Sequence, residues 1–418
     1  MKIINNTILL FLLLPLQVVY CENVKLDTPD AFRVKGEKIH LTTVPGVKWS
    51  GGTKLGQLYS FLPRKTAAAP GALRPGSVVV CKDGKAMKLG KDYAIDVKWA
   101  SLWIPKGSSI TSQDTLSVDY TYTVRRVDSE IIAADGKTVI RKGKGSLTVP
   151  EIPQLNTGEK RVCNYFIDYD GTVQKYPLKL NAQDIRQTTG PEMLPRVMDK
   201  FSRGENVKIV CWGDSVTSGG DSSCPGKSYP RVFEKTMREK FPKSAITVDV
   251  ISVGRSNSRN WLYPDKFPFP HAQRAKECDF QRIIDAKPDV VTVEFVNDSF
   301  MTPLQVREIY SEILSKLRTT GAEVVFITPH FVSEFAFCGR KDVPHPENRP
   351  YVKALRAFAK ENGVALADVS ARWEQLANDG IPYVIYLQNG INHPDDRGHQ
   401  LFVDELLRCF TPHDKKLK

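Results

Sequence analysis

The chain has 418 residues, of which 41% are hydrophobic and 25% charged, and it carries a net charge of +12. That length exceeds one typical domain of about 150 residues, and the ordinary balance of apolar and charged residues excludes large-scale disorder. Most of the positive charge falls in the first 190 residues. Such a field attracts an acidic polysaccharide or an anionic cell surface, or else is a solvated basic face, and without a recognition motif no nucleic acid is expected as a partner.

In chain order, Met1-Lys2 precedes an apolar run between positions 8 and 16 that ends near Val19-Tyr20-Cys21. This pattern predicts a secretory signal peptide over residues 1–21, with a mature chain that begins near Glu22 and is secreted or periplasmic. The run is shorter than the roughly 20 residues that span a bilayer, and no later segment predicts a transmembrane helix. Lipoprotein anchoring at Cys21 is disfavoured, because bulky Tyr20 stands where such sites carry a small residue.

Residues 22–185 predict a β-rich accessory domain. Ser77–Cys81, Tyr93–Val97, Ser101–Ile104 and Thr115–Tyr122 are short runs rich in Val, Ile, Thr and Tyr. Asp83-Gly84, Pro105-Lys106-Gly107 and Asp135-Gly136 supply turns between them, which predicts an antiparallel, sandwich-like all-β unit. Val118, Tyr120 and Tyr122 alternate as one face of its core, a carbohydrate-stacking stripe being the weaker reading.

From Val207 the pattern becomes strand, loop, helix, repeated five times. Strands are expected at Val207–Trp212, Ile246–Val253, Val290–Val296, Val324–Thr328 and Val364–Val369. Helices are expected at Pro230–Lys240, Ala272–Asp285, Pro303–Thr319, Arg349–Asn362 and Gly398–Cys409. Near-continuous Val and Ile strands linked by helices predict a doubly wound, flavodoxin-like α/β domain over residues 186–418, with a five-stranded parallel sheet. In such sheets ligands bind beyond the carboxyl ends of the strands. Among the seven cysteines after the signal, Cys211 belongs to a core strand, and Cys224, Cys278 and Cys338 are the candidates for one disulfide. No Cys or His spacing suits a structural zinc.

Four strand-end segments carry chemistry. The first strand runs into Trp212-Gly213-Asp214-Ser215-Val216-Thr217-Ser218-Gly219-Gly220, where a serine at a tight turn is held out of the sheet beside backbone N–H groups. Gly254-Arg255-Ser256 follows the second strand, and Asn297, whose amide is a donor, follows the third. Near the last helix, Asn389-Gly390-Ile391-Asn392-His393-Pro394-Asp395-Asp396 offers a histidine in a loop. A serine, a base and several donors at strand ends form an acyl-transfer constellation.

These four blocks, in this order, resemble the SGNH hydrolase superfamily, the GDSL-type esterases and lipases, over roughly residues 200–412. The resemblance implies that Ser215 is the nucleophile and His393 the base, that Ser215, Gly254 and Asn297 form the oxyanion hole, and that no metal or other cofactor is used. Two positions depart from the family pattern. Phe295 stands where the family commonly has glycine, which is expected to narrow or reshape the cleft without removing a donor. Gly390 stands where an aspartate usually precedes the histidine by three residues, so Asn389, Asp395 and Asp396 are the candidates for the third triad member, with a Ser-His dyad as the alternative. Asp214 and Glu294 are expected to be structural, His330 to line the cleft, and His399 to pack at the start of the last helix.

The expected function is a secreted serine esterase that deacetylates a polysaccharide. The rival readings are a lipase, lysophospholipase or thioesterase, and an inactive glycan-binding surface protein. The sequence is silent on oligomeric state.

Overall fold

The apolar runs of the first half form short strands that pair with one another antiparallel. In this computed structural model, which describes residues 26–47, 49–59, 67–334, 336 and 347–411, these strands make three sheets. One has the order β1-β7-β3-β4, built from β1 (Ala31–Ile39), β3 (Val79–Lys82), β4 (Lys85–Ala86) and β7 (Leu116–Thr123). A three-stranded sheet joins β2 (Thr53–Lys54), β5 (Ala94–Asp96) and β6 (Ser101–Trp103), and the two sheets, with α1 (Gly56–Tyr59), share a core around Leu58, Val80, Leu102 and Val118. Val118 and Tyr120 are buried in it, as core alternation requires.

The third sheet, β11-β10-β8-β9, comprises β8 (Arg126–Ile132), β9 (Thr138–Arg141), β10 (Lys160–Ile167) and β11 (Val173–Pro177). It turns Val127 and Phe166 toward Ile385 of the second half. The expected signal peptide and Cys338 lie outside the described residues. Cys224 is an exposed free thiol, and Cys278 is free and buried.

The second half is the parallel α/β sheet that its Val and Ile runs predict. Strands β12 (Val207–Gly213), β13 (Ile246–Ser252), β14 (Val290–Glu294), β15 (Glu323–Ile327) and β16 (Ala365–Ala367) lie in the order β13-β12-β14-β15-β16. Every pairing among them is parallel. The order reverses at β12, so the crevice at its carboxyl end is the switch point where such sheets bind ligands.

Strands β12, β14 and β15 are largely buried on both faces because a core covers each, whereas the edge strand β13 leaves Thr247 exposed. Ile209 and Cys211 face one core, with α2 (Pro195–Arg203), α3 (Tyr229–Lys240), α8 (Val369–Asn378) and α9 (Asp396–Arg408). Val210 and Trp212 face the other, with α4 (Ser258–Leu262), α5 (Gln281–Asp285), α6 (Pro303–Thr319) and α7 (Pro350–Glu361).

Local chemistry explains where the expected elements shift. Helix α6 has its expected bounds because Thr302 and Gln305 form a capping box ahead of Pro303. The helix expected over Ala272–Asp285 is broken into a 3-10 turn and α5. Between the two, Asp279 turns its carboxylate onto the Gln281 N–H, and Phe280 packs edge-on against Trp212 with ring centroids 5.2 Å apart. The last strand stops at Ala367 because Asp368 caps α8, a helix hidden in the sequence by its apolar start.

Candidate active site

A tight turn after β12 carries the nucleophile candidate, and its tightness is imposed by Gly213. A Cβ there would lie 2.1 Å from Thr217 Oγ1 and 2.3 Å from the Glu294 carbonyl oxygen, distances that no side chain tolerates. Ser215 therefore leaves the sheet on a turn closed by the Ser218 and Gly220 N–H groups, which donate to the carbonyls of Asp214 and Ser215. Ser215 Oγ is 2.9 Å from His393 Nε2, and His393 Nδ1 is 2.5 Å from Asp221 Oδ2. Gly220 makes room for the ring, since a Cβ at that position would come within 3.0 Å of His393 Nδ1.

Asp221 is the residue that sequence reasoning missed. It lies six positions after the serine in the same loop, is 1% exposed and has φ 57°. The readable signal was a second aspartate directly after Gly219-Gly220, in a segment where the chain needs an unusual backbone.

The three residues considered for its place are engaged elsewhere. Asn389 Oδ1 accepts the backbone N–H groups of Ile391, Asn392 and His393, so it shapes the histidine loop without reaching the ring. Asp395 caps α9 and pairs with Arg397. Asp396 accepts from the backbone and hydroxyl of Ser223. Gly390 is fixed by backbone and packing: its φ is 67°, and a Cβ would meet Thr148 Cγ2 at 3.0 Å. An aspartate here would be strained and would strike the antiparallel part of the chain.

The donors also converge. Ser215, Gly254 and Asn297 all line one cavity of about 700 Å³ together with His393. Gly254 sits against Ser215, a Cβ built on it lying 3.6 Å from Ser215 Cβ. Among the described residues, neither the Ser215 nor the Gly254 N–H donates to a backbone carbonyl. Asn297 Nδ2 donates to Asp214 Oδ2 at 2.9 Å and to the Ser256 carbonyl at 3.0 Å. Both bonds anchor the amide at the cavity edge, and donation to a reacting oxygen requires one of them to be shared or released.

Asp214 is the brace beneath this arrangement. Its Oδ1 accepts the Val216 N–H and its Oδ2 the Asn297 N–H, which ties the serine turn to the loop after β14. Burial pushes its carboxyl well up from the usual range, even though those N–H groups favour the charged form. Glu294, which accepts from Thr217 Oγ1, is likewise raised by burial and by Asp214 beside it. Asp298 is pushed up to about 6 by burial, although the Ser258 N–H and Tyr310 hydroxyl both donate to it.

Two expectations fail on burial. Phe295 does not narrow the cleft: it is 1% exposed and packs edge-on against Trp212 beneath the sheet. His330 does not line the cleft either. It is fully buried with Nε2 2.7 Å from the Asn392 carbonyl, and burial holds its imidazole down at about 3, so it braces the His393 loop as a neutral ring. His399 is packed at the start of α9 beside Tyr229, and burial lowers it to about 4.

Residues 211–401 match the GDSL-like Lipase/Acylhydrolase family. No curated protein sequence matches the chain significantly. Among solved structures, a two-domain esterase active on acetylated mannans is 19% identical, with 53% of each chain covered and a TM-score of 0.41. Axe2, an acetylxylan esterase from Geobacillus stearothermophilus, is 18% identical over 48% of this chain and 93% of its own, with a TM-score of 0.36. The acetyl xylan esterase AlAXEase is 17% identical over 48% of this chain and 98% of its own, also at 0.36. This chain thus spans about half the length of the two-domain esterase. Among the described residues no helix is long and apolar enough to cross a membrane.

Proposed function

We propose that the protein is a serine ester hydrolase in which Ser215 attacks the ester carbonyl, His393 is the general base, and Asp221 orients and charge-stabilises the imidazole. The observation that carries this reading is the hydrogen-bonded chain from Ser215 Oγ through both nitrogens of His393 to Asp221, opening on the cavity. His393 Nε2 takes the hydroxyl proton as Oγ bonds to the carbonyl carbon, and Asp221 faces the imidazolium that forms. The backbone N–H groups of Ser215 and Gly254, with Asn297 at the edge, stabilise the tetrahedral oxyanion. The alcohol leaves with the proton from His393, and a water deprotonated by the same nitrogen then releases the acid and restores Ser215.

The lining supports a carbohydrate carrier as the substrate class. Apart from Trp49, Ala67, Ala336 and Ile391, the residues around the cavity are polar, charged or glycine. Polar donors interleaved with Trp49 and Ile391 suit a hydroxyl-rich carrier with a short acyl group. We assign the function as deacetylation of a polysaccharide by an exported enzyme, with residues 22–185 as an accessory unit and 186–418 as the hydrolase.

Hydrolysis of an ester series from acetyl to dodecanoyl, by the parent and by Ser215→Ala, tests this. Fast turnover of acetyl esters that the variant loses is expected. Preference for dodecanoyl esters overturns the carbohydrate assignment, and undiminished turnover by Ser215→Ala overturns the mechanism.

A further inference from the structure

Two arginines join His393 in lining the cavity. Arg255 directly follows Gly254 and lines the cavity, as does Arg274. Arg274 is neutralised by Glu277 through two hydrogen bonds of 2.8 Å. Arg255 is not: among the described residues no carboxylate lies within ion-pair distance of it, and no acidic residue lines the cavity.

Three features hold this guanidinium in place. Its carbon lies 4.0 Å from the centre of the Trp49 ring, so its face is covered and its edge remains for hydrogen bonding. Its Nη1 is 2.5 Å from His271 Nε2, which must therefore be the unprotonated, accepting nitrogen. Its backbone adopts φ 73°, a conformation usually left to glycine, at a position where the chain nevertheless keeps a long cation. Burial and the neighbouring Arg274 both disfavour the charge on Arg255, so an anion beside it would relieve a cost already present.

We propose that Arg255, backed by Trp49, is a specificity-determining residue that binds a carboxylate of the substrate, so that the acylated sugar is a uronate. The inference rests on the esterase reading above and names the substrate class of that same site. A carboxylate fits the edge of a stacked guanidinium through paired N–H donors, whereas a neutral hydroxymethyl group makes one weaker bond. Trp49 comes from the antiparallel part of the chain, so this selectivity requires both halves of the molecule.

The test compares acetate release from three methyl glycosides with the acetyl group at the same position: mono-O-acetyl galacturonate, its carboxyl methyl ester, and mono-O-acetyl galactose. The parent is expected to prefer the free uronate by roughly ten- to a hundredfold in kcat/KM, the range that one hydrogen bond to a charged group supplies. The preference should shrink with added salt. Arg255→Gln should bring the uronate-to-galactose ratio close to one, and Trp49→Ala should lower it by a smaller factor.

Equal rates on all three glycosides that still depend on Ser215 overturn the uronate assignment and leave the esterase standing. Rates that do not depend on Ser215 overturn the esterase reading itself. Titration of the Ser215→Ala protein with oligogalacturonate and with the corresponding neutral oligosaccharide decides the matter without turnover: tighter binding of the acidic oligomer is expected, and equal affinity overturns the proposal.

Discussion

The two halves of the molecule use their strands differently, and the site reflects it. In the parallel half, β12, β13 and β14 end on the same edge, so the loops that follow them bring Ser215, Gly254 and Asn297 to one crevice, joined by His393 from the loop before α9. In the antiparallel half successive strands end on opposite edges, and no such convergence arises. That half instead supplies walls and struts: Trp49 and Ala67 line the cavity, Thr148 Oγ1 donates to the Gln388 carbonyl at 2.8 Å, and Asn164 Nδ2 donates to the Gly380 carbonyl at 2.7 Å. A parallel sheet gathers groups from distant parts of the sequence, while the appended antiparallel sheets restrict how the histidine loop can turn.

The sharpest way to break this division of labour is to remove groups at the parallel edge. Ser215→Ala is expected to lower ester turnover by roughly 10⁶-fold, and Asp221→Asn by roughly 10⁴-fold, because the neutral amide favours the wrong tautomer of His393. Substituting Asn at Asp396, whose partner is Ser223, should cost less than about tenfold by the same logic, since it does not touch the ring. A steady-state series on one acetyl ester checks all three, and a large loss at Asp396 with none at Asp221 would reverse the assignment.

The contact between the halves is probed by Gly390→Asp, which installs the aspartate at the position three before the histidine. With φ at 67° and Thr148 at 3.0 Å from the added Cβ, it should cost roughly 1–3 kcal/mol of stability and give no gain in turnover, as read from a denaturant midpoint and from kcat.

The buried carboxylates of the parallel half predict a pH dependence with a definite sign. Asp298 is raised in the folded protein to about 6, so between the ordinary aspartate range and that value the folded state binds more protons than the unfolded. Its contribution to stability is therefore present in acid and is lost as pH rises to about 6. Asp298→Asn should flatten the fall in thermal midpoint across that window, and an unchanged slope would contradict it. The smallest effect is expected at the strut: Thr148→Val leaves the Gln388 carbonyl without its donor and should cost about 1 kcal/mol, measured by urea unfolding.

Much of this molecule is written locally. The Val and Ile runs at 207–213 and 290–294 declare buried parallel strands because they are apolar on both faces, and Thr302-Pro303 with Gln305 declares the start of α6. Gly213-Asp214-Ser215 and Asn392-His393 are legible because serine and histidine at strand ends suit acyl transfer, and the fold brings them within 2.9 Å.

The pairing of the histidine with its carboxylate was not legible from spacing. Asp221 is 172 residues away from His393 and meets it only because Gly219 and Gly220 let the serine loop fold back under the ring. The burial of Phe295 and His330 was likewise decided by packing on either side of the sheet. Spacing along the chain reports the chemistry a residue can perform and the period of the element that carries it, but the direction in which a side chain points from a loop depends on backbone angles and neighbours that exist only once both halves have packed.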